Sequence, residues 1–322
     1  MKKLTIKEIA EYSGVGKSTV SRYFNSGYVS QESKEKIEKV INKYNYVPNV
    51  FARGIKAKSS KLIGIVVPCL DSVISSTILM SLDSSLRKSG YTPVIVNTSH
   101  DKELELSNIE NLARLKVEAI IVIATSVTDN HVKLIKKSPV PVLFIGQILP
   151  NGYSIVNDEE KAGEILSSYI IGEKFEKVLY IGVNEEDIMV GKIRKESLIN
   201  PIIEKGIEVD YLETDFSYDN SYKNFKKVYK NKDVPNCIVC ATDTIAFGVI
   251  KGLKEFHSEI LDKVSIFSYG GYKVSGLVTP PISTIRFENE HTGELASKSV
   301  IEILNGEEVE KIQKIGFKFE KR

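Results

Sequence analysis

Apolar residues in the first forty-odd positions recur three and four apart. Ile6, Ile9 and Ala10 mark one helical face, Val20, Tyr23 and Phe24 a second, and Ile37, Val40, Ile41 and Tyr44 a third. Thr5 and Glu8 have capping-box spacing at the start of the first helix. Gly14 is placed to turn the chain before the second, and Ser30 to cap the third. The pattern predicts three short helices around Ile6, Ile9, Val20, Phe24, Ile37 and Ile41, with a helix-turn-helix at the front. After Ser59-Ser60 the period changes. KLIGIVVPC, TPVIVNTS, EAIIVIAT, VPVLFIG, KVLYIGV, EVDYLET, NCIVCAT and VSIFSYG read as buried strands separated by amphipathic segments. Such alternation predicts an α/β body of parallel sheets covered by helices on both faces. Two sets of strands imply two doubly wound lobes, with ligand bound in a cleft at the carboxyl ends of the strands.

One short stretch invites another reading. SGVGKST carries Gly16, Lys17 and Ser18 as a phosphate-binding loop would. That loop needs a glycine at position 11, which is Glu11, and a strand before it, where the periodicity gives a helix. Lys17 therefore belongs at the start of a helix. Early residues of the second helix in a helix-turn-helix reach base edges in the major groove. Lys17 and Arg22 are suited to guanine O6 and N7, and Ser18 to either base type. Thr5, Thr19, Ser21, Asn25 and Ser30 are suited to phosphate contacts, which also remain open to Arg22.

Charge supports a nucleic-acid partner. Residues 1–58 hold 12 Lys/Arg against 5 Asp/Glu, while the rest hold 32 against 37. A basic head on an acidic body predicts that only the head meets a polyanion. No apolar run reaches 18 residues and no apolar segment opens the chain, so neither a membrane span nor a signal peptide is expected, and the expected compartment is the cytoplasm. Cys237 and Cys240 lie on one strand, where residues three apart face opposite sides and cannot chelate together. Cys69 stands apart from them. The four histidines are scattered and no G-x-S-x-G elbow occurs, so no metal, cofactor or enzymatic activity is expected.

TIKEIAEYSGVGKSTVSRYFN, with YVPN and Ala52-Arg53 downstream, resembles the head of the LacI/GalR family of bacterial transcriptional repressors from Leu4 to about Lys58. The resemblance implies a hinge helix over residues 48–56, including Asn49, with Ile55 as the apolar wedge that enters the minor groove. Gly54 within that segment costs helix stability, about 1 kcal/mol, which fits a hinge that folds on DNA; relief of crowding between paired hinges is the alternative. The body resembles the two-lobed periplasmic-binding-protein-like core of the same family. Lobe one is then expected at about 61–158 plus 288–322, and lobe two at about 159–287. The family also implies a homodimer on a palindromic double-stranded DNA operator. KIGFKFEKR is followed by no heptad, so no tetramer is expected. A phosphoprotein corepressor is left open, as is the sign of the effector response. A solute-binding protein of a transporter would share the body but not the basic head.

Candidate effector contacts are polar residues at strand ends: Asp71, Ser72, Gln147, Thr242, Asp243 and Tyr269. Arg194 matches the family's R-x-x-G arginine, with Ser197 in place of the glycine. Asp71 and Asp243 have a second reading as helix caps. Where sugar-binding relatives carry G-Y-D-[DE], this chain has Ser268-Tyr269-Gly270-Gly271. Loss of that carboxylate eases entry of an anion, with Arg194 and Lys192 as charged donors. SGVGKSTVSR, LDS at 70–72 and VCATDTIAFG at 239–248 resemble the trehalose operon repressors of the family, which implies trehalose 6-phosphate as effector. Cys69 departs from that subgroup's basic residue, and sucrose or another disaccharide is the alternative.

Overall fold

The computed structural model describes residues 4–24, 27–44, 46 and 59–322. It divides into two compact units, 1–60 and 61–322.

The first unit holds three helices, α1 (Ile6–Ser13), α2 (Lys17–Phe24) and α3 (Gln31–Tyr44). The capping box is formed: Thr5 N–H donates to Glu8 Oε2 at 2.7 Å, and Glu8 N–H donates to Thr5 Oγ1 at 3.3 Å. Gly14 ends α1 in the left-handed conformation, and α2 starts at Lys17, where Val20 N–H bonds to the Gly16 carbonyl. Ile9, Val20, Ile37 and Val40 form the buried centre, with Ile6, Phe24 and Ile41 packed around them. The helical periodicity alone accounts for this core, because three amphipathic helices have only each other to bury against.

The second unit contains two six-stranded sheets. The first has order β11-β5-β4-β3-β1-β2 and is parallel throughout. Its strands are β1 (Leu62–Val67), β2 (Thr92–Asn97), β3 (Ala119–Ile123), β4 (Val142–Ile145), β5 (Tyr153–Asn157) and β11 (Ile312–Ile315). The second has order β12-β10-β9-β8-β6-β7. It comprises β6 (Lys177–Val183), β7 (Glu208–Thr214), β8 (Cys237–Cys240), β9 (Ser265–Tyr269), β10 (Ile282–Phe287) and β12 (Phe317–Glu320). Eight helices cover these sheets: α4 (Val73–Lys88), α5 (Lys102–Arg114), α6 (Asp129–Lys136), α7 (Glu159–Gly172), α8 (Lys195–Glu204), α9 (Tyr218–Tyr229), α10 (Asp243–Phe256) and α11 (Asn289–Asn305).

Along β1 the side chains alternate between two cores. Ile63, Ile65 and Val67 join one cluster and Val66 another, which is why parallel strands buried on both faces read as unbroken apolar runs. Cys237 and Cys240 are buried free thiols within β8, their pKa raised by burial. Among the described residues no helix is long and apolar enough to cross a membrane.

The sheet pairing corrects the expected lobe boundary. The chain crosses to lobe two after β5 and returns after β10, where α11 packs on α4 of lobe one. It crosses a third time at Gly316. Strand β12 then pairs with β10, so residues 317–320 belong to lobe two, not lobe one. That pairing is antiparallel, because β12 enters directly from β11 without a covering helix. Backbone bonds tie the crossings together: Asp158 N–H to the Ile315 carbonyl at 3.1 Å and Glu288 N–H to the Gly316 carbonyl at 3.2 Å.

Candidate functional site

In the head, Lys17, Ser18 and Arg22 are exposed on α2, and Thr19 and Ser21 are half-buried beside them. Val20 and Phe24 anchor the opposite side of the helix in the core. The residues suited to base edges therefore line the solvent side of a fixed helix. Thr5 is exposed, but its hydroxyl is engaged by Glu8 within the capping box. Ser30 accepts from Ser33 N–H at 3.4 Å at the start of α3. Asn25, Asn49 and Ile55 lie outside the described residues.

In the core, the sequence candidates collect at the carboxyl ends of the strands, but in different states. Ser72 caps α4, accepting from Ser75 N–H at 3.3 Å, beside the exposed Asp71. Thr242 caps α10, accepting from Ile245 N–H at 3.2 Å. Gln147 follows β4, is 3% exposed, and donates to the Thr125 carbonyl at 3.1 Å and to Asp187 Oδ1 at 2.7 Å. The second bond joins lobe one to lobe two. Asp187 also accepts from Val190 N–H at 2.9 Å and so caps the π-helical turn Ile188–Arg194. Burial raises its pKa above the ordinary aspartate value, against the pull of those donors and of Arg194.

The π-helical stretch aims Arg194 inward. Its Nε and Nη2 donate to the two oxygens of Glu159 at 2.7 and 2.6 Å, and Nη1 donates to the Ala241 carbonyl at 2.6 Å. The guanidinium lies 4.6 Å from the Tyr269 ring centre and 5.7 Å from that of Phe287. Burial opposes its charge, but the Glu159 carboxylate outweighs this and holds the proton more firmly than usual. Arg194 thus lies at the ends of β8, β9 and β10, and its charge is already matched by Glu159. This corrects the expectation of a cation left open for phosphate.

Asp243 also departs from expectation. It is fully buried, and its carboxylate accepts from Tyr272 N–H at 2.7 Å, from the hydroxyls of Ser275 at 2.6 Å and Thr284 at 2.8 Å, and from Ser268. Four donors saturate the group, so it anchors the 270–276 loop instead of meeting a ligand. A Cβ at Gly270 would stand 2.9 Å from Asp243 Cγ. Any side chain at Gly270 would crowd this anchor.

Sequence reasoning missed Glu159, Asp187 and Tyr180. Tyr180 and Tyr269 are buried, and neither hydroxyl has a hydrogen-bond partner. A run of acids at the start of α7, Asp158-Glu159-Glu160, was the available signal for Glu159.

Two family profiles match. Residues 5–49 match the bacterial regulatory proteins of the lacI family, and residues 60–322 the periplasmic binding proteins and sugar binding domain of the LacI family. The sucrose operon repressor of Staphylococcus xylosus is 30% identical, covering 95% of both chains. The transcriptional regulator TreR of Salmonella typhimurium is 27% identical over 94% of this chain and 95% of its own. Among solved structures, a lac repressor dimer bound to operator and the anti-inducer ONPF superimposes with a TM-score of 0.86 at 22% identity, covering 100% of this chain and 98% of that one. Helical head, two-lobed parallel core and profile matches together place the chain in the LacI family of DNA-binding transcriptional regulators.

Proposed function

We propose that this protein represses a sugar-utilisation operon, binding a palindromic operator as a homodimer and responding to a small sugar or sugar phosphate held between the lobes of its core. The observation that carries the reading is the pairing of two features in one chain. Lys17, Ser18 and Arg22 are exposed along a rigid α2, and buried polar groups gather at the strand ends of a two-lobed core. The protein acts in the cytoplasm and catalyses nothing. Asn49 and Ile55, outside the described residues, are proposed as further operator contacts.

Dimerisation is supported by a groove of about 660 Å³ in which Tyr218, Phe247, Ile250, Val274 and Val278 are flanked by Lys251, Lys254 and Glu255; Leu277, next in the chain to Val278, is 83% exposed. Burying such a patch on a second copy removes it from water. The effector contacts proposed are Asp71, Ser72, Gln147, Arg194, Thr242 and Tyr269, with the lobe arrangement as the two-state element that the effector biases. The local stretches and the TreR relative support trehalose 6-phosphate. The sucrose operon repressor supports a sucrose-type effector as the alternative, and the paired charge of Arg194 fits an unphosphorylated one. Nothing in the comparisons supports a phosphoprotein corepressor, and none is proposed.

The test is salt-dependent binding of the full chain to a palindromic operator, with and without saccharide, alongside sedimentation. Dimers, loss of affinity in Arg22→Ala and Ile55→Ala, and a saccharide-dependent change in affinity are expected. Unchanged affinity in both variants would refute the DNA-reading assignment.

A further inference from the structure

The reading above leaves open whether the effector carries charge. We infer that Glu159 is a specificity-determining residue: by neutralising Arg194 it makes the lobe-two wall of the cleft select an uncharged saccharide over its phosphate ester. This inference rests on the reading that the cleft holds a saccharide.

The chemistry follows from what surrounds Arg194. Glu159 is 2% exposed and Arg194 5%, and the pair is bidentate, so their charges cancel within one buried unit. Glu159 opens α7, and Asn157 Nδ2 donates to it at 3.2 Å. The carboxylate is therefore held in place independently of any ligand. A second acid, Asp187, interacts electrostatically with both members of the pair. Two lysines flanking the π-helical turn are paired, Lys102 with Glu186 at 2.8 Å and Lys195 with Glu185. Lys192 is exposed. Around Arg194 there is thus one buried cation against two buried carboxyl groups, which disfavours a phosphate dianion.

The same wall offers neutral partners. Tyr180 and Tyr269 are at most 1% exposed, their hydroxyls lack partners, and they interact electrostatically with each other and with Arg194. The Tyr180 ring leans toward the carboxyl end of β6, over Gly182, where a Cβ would fall 2.5 Å from its Cε1. Three of the five Arg194 N–H groups go to Glu159 and Ala241, which leaves two as donors. Two hydroxyls and two N–H donors of a neutralised guanidinium complement sugar hydroxyls, which both donate and accept. Buried hydroxyls without partners are costly, so a group that satisfies them gains affinity.

The experiment is thermal shift and calorimetric titration of the full chain with matched pairs: glucose, fructose, sucrose and trehalose, each against its 6-phosphate. The expected result for the wild type is stabilisation by at least one free saccharide and at least about tenfold weaker binding of its phosphate. Glu159→Gln should move that ratio toward the phosphate by about tenfold. Should Glu159→Gln fail to fold, Tyr180→Phe and Tyr269→Phe serve. Each should leave the melting temperature of the free protein unchanged or higher and weaken the saccharide. A phosphate ester that binds the wild type as tightly as its parent sugar, or an unmoved ratio in Glu159→Gln, overturns the inference. Phenylalanine variants that leave saccharide affinity unchanged also overturn it. Failure of every sugar and every phosphate to bind would instead refute the saccharide reading of the cleft.

Discussion

Gln147 donates its side-chain amide to the Asp187 carboxylate at 2.7 Å, joining the end of β4 in lobe one to the π-helical turn that carries Arg194 in lobe two. Both residues are at least nine-tenths buried. Movement of one lobe against the other must break or rebuild this bond, so it reports directly on the lobe equilibrium.

Gln147→Ala removes the donor and leaves a buried carboxylate with one partner fewer. The expected cost is about 1–3 kcal/mol in urea unfolding. Faster hydrogen exchange over residues 184–190 should accompany it. Unchanged exchange there, with unchanged stability, would show that the bond does not hold the lobes.

Asp187 should make stability pH-dependent. Its folded pKa is raised by burial above the unfolded value of 3.8. A carboxyl shifted this way contributes stability below its unfolded pKa, and that contribution is lost as pH rises through the folded value. Asp187→Asn keeps an acceptor for Gln147 and Val190 without the charge. The stability of Asp187→Asn relative to wild type should therefore be greatest near pH 7 and shrink toward pH 4. A difference that grows on acidification would contradict the assignment.

Asp243→Ala strips four donors of their acceptor: the Tyr272 N–H and the hydroxyls of Ser268, Ser275 and Thr284. Loss of several buried bonds to one charge should cost about 3 kcal/mol or more. Proteolysis within 270–276 should rise in parallel. A small effect, below about 1 kcal/mol, would mean that the loop is held by other contacts.

Gly191→Ala should disrupt the turn that aims Arg194. Its Cβ would lie 2.0 Å from the Asn184 carbonyl oxygen, a backbone atom that cannot swing aside. Destabilisation of about 1–3 kcal/mol is expected, with weakened saccharide binding and unchanged operator affinity of the unliganded protein. Wild-type melting behaviour would show that the turn can relax.

In the head, Thr5→Ala loses the hydroxyl half of the capping box, keeping the backbone N–H bond to Glu8, and should destabilise α1 by about 1 kcal/mol, while Thr5→Ser retains both halves. Circular dichroism at 222 nm separates the two. Equal helicity and stability in all three proteins would remove the cap from the account.

Much of this protein was determined by local sequence. Ile6, Ile9, Val20, Phe24, Ile37 and Ile41 declare the head because a short amphipathic helix shows its buried face at a spacing of three and four. Eight strands of the core were legible, six of them because burial on both faces demands an unbroken apolar run; β2 and β7, read as buried, are partly exposed edge strands. Strands β5, β10, β11 and β12 were not legible. Tyr153–Asn157 and Ile282–Phe287 mix polar residues into short runs, while Ile312–Ile315 and Phe317–Glu320 are edge strands with Gln, Lys and Glu between their apolar positions. Tertiary structure alone decided which polar residues meet. Glu159 pairs with Arg194 across 35 positions and Gln147 with Asp187 across 40. Both pairings depend on where the chain crosses between lobes, and no local pattern encodes that geometry. The sequence singled out Arg194 by its motif. That its charge is already neutralised could not be read there, because the low-dielectric contact responsible exists only once α7 and the π-helical turn are packed together.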